Sequence, residues 1–331
     1  MNTAVRTFAL PLLIWIAALV GVYLWGGFHA FLITFLLTLL EVTLSFDNAV
    51  VNAKILAQMS KKWQGYFLTW GILIAVFLTR FVLPIIIVAV SAAVSPWVVA
   101  ELAFNDPEAY GHLLEGAHMA ISSFGGVFLL MVSLKYFFDE AKEIHWLHVI
   151  EKHISRWGRI EALEIGISLA VIAGIALLVP AHAATILFSG IVGIVLFILM
   201  QGVANAFTME AGAAASGLAL FIYLNILDAA FSLDGVIGAF AITNELMAIV
   251  VGLGVGAYFV RSLTVYLVRQ KTLDTLVYLE HGAHWAILGL SAAMLASLFF
   301  RVPEAITGLI GIAFVAAALW SSLKERAKAE A

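Results

Sequence analysis

Four acids set in apolar surroundings are the residues of this chain best suited to chemistry. Glu41-x-x-x-Ser45-Phe46-Asp47 recurs as Asp228-x-x-x-Ser232-Leu233-Asp234, with the same offsets of four and six. A charged side chain at the centre of a bilayer costs about 2.5–3.5 kcal/mol, and four of them facing lipid would cost on the order of 10 kcal/mol. A partner, a proton or a cation must therefore compensate them. Asn48, Asn52 and Asn225 lie close by in sequence and supply amide oxygens. Carboxylate and amide oxygens together suit a hard divalent ion such as Mg2+, Ca2+ or Mn2+. The chain has no cysteine, which removes thiolate metal sites, disulfides and a cysteine nucleophile. A buried carboxylate binds either a proton or a metal, so proton coupling is a corollary.

Each half also carries one intramembrane arginine, Arg80 and Arg261. Two arginines can neutralise two of the four acids in buried pairs that only fix the helices, but they cannot balance all four. Glu41 and Asp228 thus stay open between three roles: ligand, arginine partner or proton carrier. A second repeat, Gly116-Ala117-His118-Met119-Ala120-Ile121 and Gly282-Ala283-His284-Trp285-Ala286-Ile287, brings a histidine into each half. His118 and His284 are either satisfied packing residues or gates and proton relays near span ends. His145, His148, Glu151 and His153 lie in the segment 139–161. That segment reads as an amphipathic helix on the membrane surface, with Trp146 and Trp157 at the interface; a histidine-rich metal trap is the other reading. Gly252-x-x-x-Gly256 is a helix close-packing motif. No nucleophile elbow, P-loop or dinucleotide fingerprint occurs, and Ser45 and Ser232 have no histidine at a suggestive spacing. The expectation is a protein that is not an enzyme and holds no permanent cofactor, with a transported divalent cation as its ligand.

The elements that must position these residues are transmembrane helices. Apolar residues make up 63% of the chain and charged residues only 11%, against about 25% charged in soluble domains. The net charge of -4 is small and dispersed, which argues against nucleic acid and leaves membrane lipid as the surrounding partner. Arg6 and the apolar run that follows resemble a signal peptide but lack a small-x-small cleavage site, so the run is read as a retained first helix. Ten spans are predicted, near 8–26, 28–58, 65–94, 117–138, 163–180, 184–201, 213–243, 246–268, 282–300 and 303–322. With ten, Lys61, Lys62, Lys135, Lys142, Lys152, Arg156, Arg159, Arg269, Lys271, Lys324, Arg326 and Lys328 fall on one side, with Arg301 the exception. The positive-inside rule then puts both termini in the cytoplasm of an inner (plasma) membrane protein.

An odd number of spans separates the two acidic motifs, so the halves have opposite orientation. The fold class expected is all-α, a polytopic helix bundle of two inverted repeats, residues 1–180 and 181–331, with the 139–161 segment interfacial. Inverted repeats place transporter sites at the midplane. Spans two and seven exceed the ~20 residues a bilayer needs. They are predicted to unwind near Ser45–Asn48 and Ser232–Gly235, bringing both carboxylates of each motif to one cavity and freeing backbone carbonyls for a cation.

The stretch Glu41-Val-Thr-Leu-Ser-Phe-Asp47-Asn48-Ala resembles the acidic signature of the TerC-like integral membrane family, named for tellurium resistance. Asp228-Ala-Ala-Phe-Ser-Leu-Asp234-Gly-Val-Ile-Gly-Ala-Phe-Ala-Ile-Thr243 is similar to a branch of that family long labelled as of unknown function. The resemblance covers most of residues 28–300. It implies manganese export and an ion site of Glu41, Asp47, Asn48, Asp228 and Asp234; position 235 is glycine where the first half has Asn48. The alternatives it leaves are a membrane accessory protein for metal delivery or assembly and a component of a tellurite-stress complex.

Overall fold

The computed structural model describes residues 3–140, 142–160, 162–210, 213–243, 245–300 and 302–329. Most of these residues are helical, with no strand among them. In chain order the α-helices are α1 (Thr3–Leu44), α2 (Phe46–Ala57), α3 (Lys61–Leu68), α4 (Trp70–Leu73), α5 (Leu83–Ala92), α6 (Pro96–Asn105), α7 (Pro107–Gly116), α8 (His118–Phe137), α9 (His148–Ser155), α10 (Leu163–Leu178), α11 (Ala183–Glu210), α12 (Ala213–Ile242), α13 (Leu246–Arg269), α14 (Thr272–Thr275), α15 (Leu279–Ala296) and α16 (Glu304–Ala329). A nine-residue π-helix, Ile74–Val82, joins α4 to α5, and a 3-10 turn, Arg156–Arg159, follows α9. A helix suits apolar segments such as these, because it satisfies every backbone N–H and C=O within the segment.

Among the described residues, six helices are long and apolar enough to cross a membrane: Val5–Leu44, Lys61–Val90, His118–Phe137, Pro180–Gly202, Leu246–Arg269 and Ile306–Lys328. Several of the ten predicted spans take another form. Spans one and two run together as α1, which changes direction at Gly27, a residue at φ 70° and ψ -163° that only glycine adopts without strain. The rest of span two is α2, set off at Ser45. Span five is the short α10, and the axes of His148–Gly158 and Leu163–Leu178 meet at 104°. In span seven the described apolar stretch is Gly217–Ser232. Span nine is α15, whose first turns carry Glu280, His281 and His284 and are correspondingly less apolar.

The chain folds into two compact units, each drawing on both sequence halves. Residues 1–118 and 206–269 form the first. Its central contact is α13 on α1, where the two glycines of Gly252-x-x-x-Gly256 let the helices close. A Cβ at Gly252 would lie 2.8 Å from Leu37 Cβ, and one at Gly256 would lie 2.5 Å from Glu41 Cβ. Thr38 Oγ1 donates across this seam to the Gly252 carbonyl at 3.2 Å. Leu56, Phe67, Leu220, Phe221, Leu224 and Val265 pack α2, α3, α12 and α13 into one apolar cluster. Residues 119–205 and 270–331 form the second unit. Here Gly125 and Gly126 of α8 receive Met294 and Leu295 of α15, and Ser291 Oγ donates to the Gly126 carbonyl at 2.7 Å.

Candidate functional site

The first unit contains both acidic motifs and both arginines. Glu41 sits near the end of α1, buried, and its Oε1 accepts from Arg80 and, at 3.2 Å, from Ser45 Oγ. Arg80 lies in the π-helix, also buried, and donates through Nη1 to the Ala75 carbonyl at 2.8 Å. The second half repeats the pairing. Asp228 of α12 accepts from Arg261 of α13 at 2.7 Å, and Arg261 donates to Asn225 Oδ1 at 3.2 Å and to the Phe67 carbonyl at 3.3 Å. Its guanidinium stacks 4.3 Å from the centre of the Phe67 ring, in room left by the missing side chain of Gly71. Each half therefore spends its arginine on the first acid of its own motif. Such pairs are strongly coupled, since removing one partner strands a buried charge at a cost of about 3–5 kcal/mol.

Asp47 is treated differently. It occupies the first turn of α2, is 3% exposed, and has no cation or side-chain donor paired with it among the described residues. The carboxylate is met by the N–H groups of Asp47 and Asn48 at the helix start. Around it in sequence, Asn48 Oδ1, both amide atoms of Asn52 and, from the second motif, Ser232 Oγ are buried without a hydrogen-bond partner. A buried polar group normally finds a partner, and leaving one unsatisfied costs about 1–3 kcal/mol. The two motifs approach each other: a Cβ on Gly235, the residue after Asp234, would lie 3.4 Å from Glu41 Oε2. Asp234 itself lies on α12, and its side chain is outside the described residues. Among the described residues no three of His, Asp and Glu converge as a metal cluster. The buried donors that the two motifs leave without a countercharge or partner are a carboxylate, amide oxygens and a hydroxyl, which is oxygen chemistry.

The predicted interruption of the first motif occurs at Ser45, at φ -99° and ψ 15° between α1 and α2. It differs from the expected unwinding, because Ser45 N–H still bonds the Glu41 carbonyl at 3.0 Å and Ala49 N–H the Ser45 carbonyl at 3.2 Å. The carbonyls of Glu41 and Ser45 therefore stay engaged across the break. In the second motif α12 runs through Ser232–Gly235 without interruption, so the expected break there is not found.

The paired histidines part company. His118 opens α8, half-buried. His284 is buried, with Nδ1 2.9 Å from the Glu280 carbonyl and its ring stacked on Tyr136 at 3.6 Å between centres.

A polar cluster in the second unit centres on Glu151 of α9, which is 1% exposed. Its Oε2 accepts from the Trp146 N–H at 3.1 Å and lies 2.7 Å from His281 Nδ1; its Oε1 accepts from Trp285 Nε1 at 2.9 Å and the Leu147 N–H at 3.4 Å. Lys142 Nζ stands 3.6 Å away and 3.7 Å from the centre of the Tyr136 ring. Burial raises the Glu151 pKa, but the hydrogen bonds from His281 and Trp285 and the charges of His281 and Lys142 outweigh it and hold the carboxyl at about 2. Burial also pulls Lys142 below the ordinary lysine value, with Glu151 opposing. His281 was not among the sequence candidates. One signal marks it: before the repeated Gly-Ala-His the first half has Glu115, so His281 breaks the repeat.

A family described as protein of unknown function (DUF475) matches residues 46–329. No curated protein and no solved structure matches the chain. With the match spanning most of its length, the chain belongs to the DUF475 family.

Proposed function

We propose that this DUF475 protein is a transporter of a hard divalent cation, working by alternating access as a manganese exporter. The observation that carries the reading is the division of labour among the acids. Arg80 and Arg261 neutralise Glu41 and Asp228, while Asp47 is buried without a countercharge among the described residues, and the same helix carries the buried, unpartnered amide atoms of Asn48 and Asn52. A buried carboxylate without a countercharge is stable only when a cation or a proton completes it. Oxygen donors select a hard ion. The preference for Mn2+ over Ca2+ or Mg2+ rests on the resemblance of the two motifs to TerC-like proteins.

In this reading Asp47, Asn48 and Asp234 hold the ion. Glu41 and Asp228 orient it as arginine-paired neighbours, and a proton replaces the ion on the return step. The ten-span, inverted-repeat organisation of residues 1–180 and 181–331, with both termini in the cytoplasm of the inner membrane, belongs to the same proposal, and no enzymatic activity is assigned. The test is purified protein in liposomes loaded with a Mn2+-sensitive dye. The expected result is Mn2+ flux from this chain alone, competed by Ca2+ more weakly and by Mg2+ least. Intact, folded protein that moves none of the three ions would remove the transporter reading in favour of an accessory role in metal delivery or assembly.

A further inference from the structure

The Glu151 cluster sets the roll of a short helix, and the face that this leaves outside has a definite chemistry. From His148 to Ile160 the sequence contains one acid, Glu151, and it points inward. A second pin holds the end of the segment: a side chain on Gly158 would overlap the Phe138 carbonyl at the end of α8. With Glu151 inward, helical periodicity turns Lys152 and Arg156 to one outer flank and Ile150 and Trp157 to the other, with Val149 between them. All five are exposed, Val149 at 82%. Every described exposed charge of this segment is therefore positive, and it lies beside an apolar strip.

The segment's place in the chain identifies what meets that face. It begins shortly after α8, a candidate span, and ends just before the apolar α10. Its axis lies at 104° to α10, so when α10 runs along the bilayer normal, α9 runs along the plane of the bilayer surface. A helix so placed, with an apolar strip and a cationic flank, sits at the headgroup level with Trp157 in the interfacial belt. Cations at that level are drawn to anionic headgroups.

We propose that residues 148–160 form an interfacial anchor for anionic phospholipid, whose headgroup phosphates pair with Lys152 and Arg156 while Val149, Ile150 and Trp157 enter the acyl boundary. The inference rests on the membrane reading alone and is independent of which ion the first unit carries.

The chain has no cysteine, so a single introduced thiol can be labelled without further change. Val149→Cys carrying an environment-sensitive fluorophore is reconstituted in vesicles of phosphatidylglycerol and phosphatidylcholine, with one lipid at a time brominated on its acyl chains. A second labelled variant, Leu177→Cys on the exposed face of α10, reports the bilayer itself. The expected result is quenching at position 149 by both lipids, at least about twofold stronger from brominated phosphatidylglycerol. Adding Lys152→Gln and Arg156→Gln should bring the two lipids level. Equal quenching by both lipids without those substitutions would overturn the anionic preference. Quenching at 177 with none at 149 would overturn the anchor and leave the spans in the bilayer. Absence of quenching at 177 would instead bring down the membrane reading on which the anchor rests.

Discussion

Asp47 and Glu151 are both carboxylates buried almost completely, and their surroundings could hardly differ more. Glu151 accepts from two backbone N–H groups and Trp285, faces His281 at hydrogen-bond distance, and has Lys142 as a near countercharge. Asp47 has the N–H groups of its own helix start and no countercharge among the described residues, and the buried polar atoms of Asn52 in the same helix are unpartnered. A fully satisfied buried carboxylate is a clamp: its interactions are complete, and adding a ligand would break some of them. An incompletely satisfied one retains capacity for a cation. Polar satisfaction, more than burial or conspicuous sequence position, separates the structural acid from the candidate ligand.

The widest gap between the two should come from removing charge at constant shape. Asp47→Asn is expected to abolish Mn2+ flux in liposomes while leaving the melting temperature of the detergent-solubilised protein near that of the parent, because no paired charge is stranded. Glu151→Gln should do the reverse. It leaves Lys142 and His281 facing an amide, at a cost of about 3 kcal/mol, and lowers the melting temperature while flux per folded molecule is retained. If the two substitutions proved alike in both assays, the distinction between clamp and ligand would be lost.

Acid sharpens the same contrast on the side of Glu151. Its carboxyl is depressed from the ordinary 4.5 to about 2. A depressed acid stabilises the fold above its unfolded value and loses that contribution as pH falls through the folded one. The clamp is therefore complete at neutral pH and lost as pH falls from about 4.5 towards 2. A label at position 149 should change its emission across that window in the parent protein and stay flat in Glu151→Gln; a transition centred near pH 6 would assign the control to another group.

Much of the first site could be read from the sequence because its information is local and duplicated. The offsets of four and six and the arginine in each half sit within one or two helices, and repetition separates them from chance; the Gly-x-x-x-Gly stripe is equally local but occurs in the second half alone. The partners of Glu151 were not legible for the opposite reason. His281 and Trp285 are 130 and 134 residues away, and nothing in the local spacing of either segment points to the other. The 139–161 segment looked amphipathic from its own residues, but which of its polar residues turns inward depends on α15. The break at Ser45 was expected from the length of the span. Its mildness was not, because the hydrogen bonds across it depend on backbone angles that the side chains leave open. Arg80 was expected on an ordinary span, and the π-helix that carries it is invisible to a pattern of apolar residues that is nearly continuous on every face.

The smallest effect expected is also the one whose sign is most informative. Asn52 is 1% exposed, and both atoms of its amide lack a hydrogen-bond partner in the folded protein. If it served only to hold α2 in place, a leucine of similar volume would be the better residue, since a buried unsatisfied amide costs about 1–3 kcal/mol and an apolar isostere removes that cost. Asn52→Leu is therefore expected to raise stability by about 1 kcal/mol, read as a small increase in melting temperature without added metal. It should at the same time weaken Mn2+ binding and slow flux if the unpartnered amide oxygen serves the ion, because that buried donor has gone. Saturating Mn2+ should stabilise the parent more than the variant, as a ligand favours the form that binds it more tightly. The order of the two melting temperatures would then narrow or reverse as Mn2+ is raised. A variant less stable than the parent at every Mn2+ concentration would mean that Asn52 is satisfied and structural, and would remove it as a donor to the ion.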